Sequence, residues 1–416
     1  MAKTKILFVG AIGGMAYATR IANESDYEPV VADYYPDSQA KEFTDKKYLV
    51  STLDTEALKK IVEEEKITAI FTGFSDNNIQ SAQKLCSFYG FPTYITEKQL
   101  EILQNKLEFK KLCLKYGIPV PHEYEEDGDI CFPVIVKPSD AYAAKGITVC
   151  QNKEELIAAV EKAKAVSRND KVVIEDYLDG REAMVHFVML NGKLKITSVL
   201  DRILSSSFKN EKKNLAPLII YNCERYVKKV ESYAEKIERM FLDLGFENLI
   251  GFFQGIWYDD EIYFFEPAVR FGGNASEIFN VRANGVNIIK KFIDYSVTGV
   301  MDDSDIEKID PLFDGFYCNL TFFLKEGKIA KICGEKEVFA LDGVMDVQRF
   351  CSPGDEITSK KTNSYAAIAY RLVISLNDKN ELNDLIARIH EVLRVEDVNG
   401  KDMIDWDLFD KILSEV

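Results

Sequence analysis

The sequence predicts an α/β protein with α+β parts. It divides into a parallel α/β domain at residues 1–100, a larger central domain at 101–310, and a small α+β domain at 311–416. Three patterns predict this. Short apolar runs alternate with helical stretches over residues 1–100, as in a parallel sheet covered by helices. The middle of the chain carries long apolar runs joined by short acidic turns, the mark of antiparallel strands. The last part mixes such strands with one helix.

In order along the chain, Ile6-Leu7-Phe8-Val9 is a first strand that ends in Gly10-Ala11-Ile12-Gly13-Gly14, and Pro29 to Asp33 is a second. A glycine-containing turn after the first strand and an acid closing the second resemble a dinucleotide site, in which a helix N-terminus holds pyrophosphate. These glycines are not spaced GxGxxG, and such turns also occur wherever a strand must pack closely onto a helix. Leu49-Val50, a helix over Thr55–Glu65, a strand over Ile67–Phe71 and a helix over Asn78–Tyr89 continue the alternation. Thr96-Glu97-Lys98-Gln99 has the form of a capping box, and the periodic run after it predicts one long helix to Tyr116.

Composition narrows the function. Lys and Arg number 52 against 68 Asp and Glu, a net charge of −16 at pH 7. A field of that sign repels a phosphate backbone, so no nucleic-acid partner is expected, although a local basic cleft can still hold a nucleotide. No stretch approaches the roughly 18 apolar residues of a membrane helix, so no membrane association is expected, and the start of the chain reads as a strand, not as a leader. The eight cysteines and three histidines are scattered, without CxxC or a Cys/His cluster. Neither zinc nor a disulfide framework is suggested, and reduced thiols in a cytoplasm are expected.

The residues that carry chemistry lie in the middle. Phe132 to Pro138 is an apolar strand ending in Lys137, followed by the small-residue loop Ser139 to Val149, whose backbone amides could approach an anion. A helix is capped near Asn152, and Val172 to Asp176 is a strand running into the acidic turn before Glu182. Ile250–Tyr258 and Ile262–Glu266 flank Asp259-Asp260-Glu261 as a hairpin. A three-residue loop puts Gln254 opposite Glu266 on one face, whereas a two-residue loop puts Gln254 opposite Phe265. A metal pair therefore needs the longer loop or a bulge. Taken singly, each residue has a plainer reading: Lys137 as a solvated strand end, Glu266 as a surface acid, Gln254 as a solvated strand residue, Arg270 as a turn cap, and His186 as a satisfied strand histidine.

In this order the motifs resemble the ATP-grasp superfamily, in its carboxylate–amine (L-amino acid) ligase and carbamoyl-phosphate-synthetase-like branch, over roughly residues 1–400. The resemblance implies a pre-ATP-grasp domain at 1–100, an ATP-grasp domain at 101–310 and a C-terminal domain that closes one side of the site. It implies that Lys106 and Lys137 bind phosphate, that Lys145 and Gly146 belong to the phosphate-covering loop, and that Glu175, Asp176, Tyr177 and Leu178 form the hinge against adenine. Glu182 matches the acid on the ribose, Gln254 and Glu266 the magnesium ligands, and Arg270 the catalytic arginine at the transferred phosphoryl group. The implied cofactors are ATP and Mg2+, with Mn2+ able to substitute. The implied partners are a small carboxylate and a small amine, and the implied assembly is a homodimer. Two residues depart from the pattern. Ala268 stands where the family has an asparagine that completes a second magnesium site, and Ala144 replaces a hydroxyl or glycine in the covering loop.

The expected function is an ADP-forming ligase that activates a carboxylate as an acyl phosphate and joins it to an amine, amino acid to amino acid being one form. The alternatives are a bicarbonate-using carboxylase or carbamoyl-phosphate-type enzyme, and a nucleotide-binding module without catalysis. A dehydrogenase leaves the middle motifs unexplained. The hairpin Gly315–Leu324 with Lys328–Ile332, a strand over Ala366–Ile374 and a helix over Glu381–Leu393 complete the expected C-terminal unit.

Overall fold

Apolar strands buried on both faces dominate the start of the chain in the computed structural model, which describes residues 3–139, 146–167, 169–204, 216–221, 223–362 and 364–409. Strand β1 (Thr4–Val9), helix α1 (Met15–Glu24), β2 (Tyr27–Asp33), β3 (Lys47–Leu49), α2 (Thr55–Glu65), β4 (Ala69–Thr72) and α3 (Asp76–Tyr89) follow the expected alternation. They build a wholly parallel sheet of order β3-β2-β1-β4. Leu7, Val9, Val30, Ala32 and Ile70 pack on Leu58, Ile61 and Val62 of α2 and on Ala82, Leu85 and Cys86 of α3. Ile6 and Phe8 alternate to the other face and are buried too, which explains the unbroken apolar runs. Gly10 has φ +103°, and a Cβ there would sit 2.3 Å from Asn78 Nδ2, so the turn after β1 accepts only glycine. Asp33 Oδ2 accepts from the Ala11 amide (3.0 Å) and Oδ1 from the Tyr35 amide (2.8 Å), tying the first turn to the second strand. Burial pushes its carboxyl up, against those amides and Lys41.

Contacts group the chain into two compact units, the first from Met1–Thr93, Thr197–Glu224 and Arg270–Val416, the second from Tyr94–Ile196 and Arg225–Val269. The second unit opens with the capping box at Thr96 and Gln99, which is present in full. The predicted single helix is instead two, α4 (Glu97–Gln104) and α5 (Lys106–Tyr116). Asn105 takes an extended conformation (φ −91°, ψ 111°), and its side chain accepts from the Leu107 and Glu108 amides. A residue whose side chain satisfies the orphan amides of a new helix stops the old one. Asn105→Ala is expected to cost about 1 kcal/mol, read as a lower urea midpoint with faster amide exchange at Leu107 and Glu108.

Next come β5 (Val134–Pro138), β6 (Thr148–Cys150), α6 (Lys153–Lys164) and β7 (Val172–Asp176). They form a three-stranded antiparallel sheet of order β6-β5-β7, with α6, capped by Asn152, on one face. Strands β8 (Arg181–Leu190) and β9 (Lys193–Ile203) follow, and β9 runs on into the first unit, where β10 (Leu218–Tyr221) pairs with it. Helix α7 (Ala234–Asp243) precedes the hairpin of β11 (Leu249–Tyr258) and β12 (Glu261–Ala268), which extends β8. Phe109, Phe187 and Phe264 surround Phe253 at ring distances of 5.1, 5.0 and 5.3 Å, and these aromatic contacts hold α5 on the sheet. His186 is buried and stacks on Phe252 at 4.9 Å.

The remainder of the first unit comprises α8 (Ile288–Thr298), β13 (Phe316–Phe323), β14 (Gly327–Cys333), β15 (Val344–Arg349), β16 (Glu356–Ile357), β17 (Ile368–Leu376), α9 (Glu381–Val392) and β18 (Arg394–Asp397). The expected hairpin of Gly315–Leu324 with Lys328–Ile332 does not form. Strand β13 already has β10 on one edge and β17 on the other, so β14 pairs elsewhere, with β16 and β18. A short turn allows a hairpin, but it cannot supply a third edge. On one face of the large sheet, Leu320, Phe322, Leu372 and Ile374 pack with Leu382, Leu385 and Ile389 of α9.

Candidate nucleotide site

In the second unit, β5 and β7 pair antiparallel with Ile135 opposite Glu175 and Lys137 opposite Val173. Val134, Val136 and Ile174 meet α6 on one face, so Lys137 and Glu175 project together from the other. Helix α5 supplies Lys106 and Lys110, one turn apart and so on one side. Glu175 is 2% exposed and receives two ammonium groups, Lys110 on Oε2 at 2.7 Å and Lys137 on Oε1. Burial pushes the Glu175 carboxyl up, but Lys137 and Lys110 outweigh it and hold the group below the ordinary carboxylate range. Lys110 also meets Glu123 at 3.4 Å, and Lys137 lies 4.9 Å from the centre of the Phe265 ring. Lys106 pairs with Glu266 at 3.1 Å.

The hairpin resolves the open question about register. Its turn is the two-residue Asp259-Asp260, with φ +48° and +59°, the left-handed pair of a tight hairpin turn, so Tyr258 pairs with Glu261. That register alone would set Gln254 against Phe265. A bulge between Gln254 and Gly255 shifts it, and Gln254 lies opposite Glu266 after all. The two oxygen donors therefore share a face. Ala268 ends β12 opposite Phe252 and offers no oxygen. Among the described residues no group of three or more His, Cys, Asp or Glu side chains could hold a metal ion alone. One carboxylate and one amide oxygen suit magnesium, which keeps several waters and completes its shell on substrate phosphates.

The Asp176 amide donates to His122 O (3.0 Å) and the Tyr177 amide to Pro133 O (3.1 Å), while the Tyr124 hydroxyl donates to Asp176 Oδ1 (2.7 Å). Leu178 follows, and Glu182 lies on β8 opposite Ile256. Gly146, with φ +76°, is described, whereas Lys145 and Ala144 lie outside the described residues. In the first unit, Arg270 holds both oxygens of Asp76 in a planar fork, Nε to Oδ1 at 2.7 Å and Nη2 to Oδ2 at 2.8 Å. Sequence reasoning missed Lys110, Glu123, Phe265 and Asp76. Lys110 had a readable signal, being four residues after Lys106 on a helix. Asp76 had none.

A parallel sheet, a separate small antiparallel sheet and a large antiparallel sheet, with lysines on α5 and β5 and a Gln–Glu pair on the hairpin, make up a mixed α/β architecture whose solved neighbours are ATP-grasp proteins. Residues 120–245 match the family model described as D-ala D-ala ligase C-terminus. The chain is 27% identical over 196 residues to the formate-dependent phosphoribosylglycinamide formyltransferase of Sulfurisphaera tokodaii, covering 44% of this chain and 49% of that protein. It thus spans about half the length of that curated relative. Among solved structures, the biotin carboxylase domain of 2-oxoglutarate carboxylase from Hydrogenobacter thermophilus, solved with MgADP and bicarbonate, superposes with TM-score 0.76 at 17% identity. That likeness covers 95% of this chain and 91% of the other. The L-amino acid ligase of Bacillus licheniformis superposes with TM-score 0.71 at 14% identity, covering 95% and 98%. At these identities the structural likenesses establish the fold alone. No helix among the described residues is long and apolar enough to cross a membrane.

Proposed function

We propose that the protein is an MgATP-dependent, ADP-forming ligase that joins a small carboxylate to a small amine. The observation that carries this reading is the pairing of Gln254 with Glu266 beside Lys106, in the same unit as Lys137. Against a net charge of −16, a nucleotide binds only where a local cluster offsets the field, and Lys106, Lys137 and Lys145 together with magnesium would be such a cluster. Lys106 and Lys137 hold phosphates, with Lys145 and Gly146 over them. Glu175, Asp176, Tyr177 and Leu178 line the adenine, and Glu182 takes the ribose hydroxyls. Gln254 and Glu266 would hold magnesium, which supplies positive charge to the phosphates, and Mn2+ would serve the same donors.

In the first step a substrate carboxylate oxygen attacks the γ-phosphorus, the bond to ADP breaks, and an acyl phosphate and ADP result. In the second the amine nitrogen attacks the acyl carbon, phosphate leaves with its oxygen, and the nitrogen gives up a proton. The charge of phosphoryl transfer is met by position more than by covalent chemistry. Arg270 is assigned to the transferred group, in exchange for its present hold on Asp76. Because acyl phosphates hydrolyse, the lid at about 120–175 excludes water until the amine attacks. The protein is expected in the cytoplasm as a homodimer. A second reading is a bicarbonate-using carboxylase or carbamoyl-phosphate-type enzyme, in line with the sequence likeness to carbamoyl phosphate synthase large chains.

ADP and phosphate release from MgATP, measured across amino acids singly and in pairs with bicarbonate controls, tests this. Release that needs both a carboxylate and an amine, falling about 100-fold or more in Lys137→Ala, is the expected result. Release with bicarbonate alone would support the second reading. Tight ATP binding with no release under any pairing would mark a nucleotide-binding module and end the ligase reading.

A further inference from the structure

Helix α5 carries a lysine where its core-facing stripe calls for an apolar side chain. Lys106, Phe109, Lys110 and Cys113 recur at helical spacing and form the buried side of that helix. Lys110 is 3% exposed, and its neighbours on the stripe, Phe109 and Cys113, are fully buried. Its ammonium meets two carboxylates, Glu175 Oε2 at 2.7 Å and Glu123 at 3.4 Å. An isolated antiparallel bridge sets Glu123 opposite Glu175. Lys137 holds the other oxygen of Glu175, Oε1. All four groups lie within Tyr94–Ile196 of the second unit.

Stability does not account for Lys110. A buried ion pair gives up most of its hydration, and an apolar group of similar volume in its place is often neutral or stabilising. Nor does Glu175 need a second cation to balance its charge, since Lys137 is already on it. Counted over Lys110, Lys137 and Glu175, the cluster keeps one positive charge in excess. Without Lys110, Lys137 and Glu175 would be a closed neutral pair. Glu123 closes little of that excess, because its side chain is 40% exposed and water screens it.

The excess matters once an anion competes for Lys137. A phosphate that draws Lys137 from a Glu175 with no other partner leaves a buried carboxylate uncompensated, which is strongly unfavourable. With Lys110 in place, Glu175 keeps a charge-assisted hydrogen bond of 2.7 Å on its other oxygen while Lys137 turns away. Lys137 also lies 4.9 Å from the ring centre of Phe265, the residue before Glu266, so its head is already on the side of the strand that carries the Gln254–Glu266 pair.

We propose that Lys110 is a positioning residue for nucleotide binding, which holds the Glu175 carboxylate so that Lys137 can leave it for a phosphate. Lys110 acts through Glu175 and does not itself touch the nucleotide. This assignment rests on the reading of Lys137 as a phosphate ligand.

The readout is the affinity that the phosphates add. It is the ratio of the affinity for the magnesium complex of an imido-bridged ATP analogue to that for adenosine, both from calorimetry on the full chain, with adenosine as a competitor of the analogue. In Lys110→Met the ratio is expected to fall about 10- to 100-fold, with adenosine affinity kept. In the double variant Lys110→Met/Glu175→Gln no carboxylate competes for Lys137, the cluster regains its single positive charge, and the ratio returns to near that of the wild type. Such a rescue is a coupling between the two sites, which a lysine with only a packing role does not produce. Lys110→Gln gives the same test without the apolar group. An unchanged ratio in Lys110→Met, including an equal fall for both ligands, overturns the assignment, and so does a low ratio that the double variant fails to restore. Lys137→Ala separates the two readings. A ratio that falls in Lys137→Ala but not in Lys110→Met removes the role of Lys110 alone, whereas a ratio unchanged in Lys137→Ala removes Lys137 from the phosphates and this assignment with it. No binding of the analogue by the wild type ends the nucleotide reading itself.

Discussion

Glu175→Gln is expected to lower the unfolding free energy of the second unit by about 3–5 kcal/mol, the largest stability effect of any single change in the nucleotide cluster. The carboxylate is 2% exposed and receives both Lys110 and Lys137. Removing its charge leaves two buried ammonium groups with less than they need. Glu123 remains 3.4 Å from Lys110 and half outside the cluster, so it replaces only part of the loss. The pH dependence has a definite sign. The folded pKa lies below the unfolded value of about 4.3, so the ion pair's contribution is present above that value and lost as pH falls through the folded one. Wild type should therefore lose stability below about pH 4 more steeply than Glu175→Gln. Urea unfolding at pH 7 and pH 3.5, with hydrogen exchange followed in 106–116 and 172–176, reads both effects. A loss below about 1 kcal/mol would mean that water screens the cluster.

Glu266→Gln is expected to reduce ADP release about 100- to 1000-fold at a fixed magnesium concentration, with partial recovery when magnesium is raised. Glutamine keeps an oxygen at the position but removes the charge that a hard divalent cation prefers, while the bulge still sets it against Gln254. Metal-free nucleotide should bind no more weakly, because Lys106 gives up its 3.1 Å partner and turns to phosphate. Full turnover in this variant would remove Glu266 from the metal role and turn attention to whether Ala268 marks a site that has lost its metal. A fall in turnover that magnesium does not relieve would point to Lys106 positioning instead.

The strand–helix alternation of residues 4–89 was legible because both of its periods are local, two residues in a strand and 3.6 in a helix. So was the capping box at Thr96, which needs only residues three apart. The break at Asn105 was legible in principle, since asparagine competes for backbone amides, but the apolar period on either side masked it. Lys106, Lys137, Gln254 and Glu266 could each be picked out as a residue type at a strand or helix end. Their convergence in pairs could not, and neither could Lys110, whose partner Glu175 is 65 positions away. The hairpin was undecided because both turn lengths suit Asp259-Asp260-Glu261. The answer came from a bulge five residues before the turn, which the turn residues do not signal.

By itself, then, the sequence determined the α/β class, the elements of the parallel sheet, the net acidic charge, and the residue types that are candidates to meet an anion or a cation. Those properties follow from composition and from neighbours a few positions apart. Tertiary structure alone decided which strand edges were free, so that β14 left β13 for another sheet. It also joined residues 1–93 and 270–416 into one unit, set Gln254 against Glu266, and enclosed Glu175 between two lysines. Each of these is a pairing between distant segments, and the free energy of such a pairing belongs to both partners at once, so neither segment carries it in its own pattern.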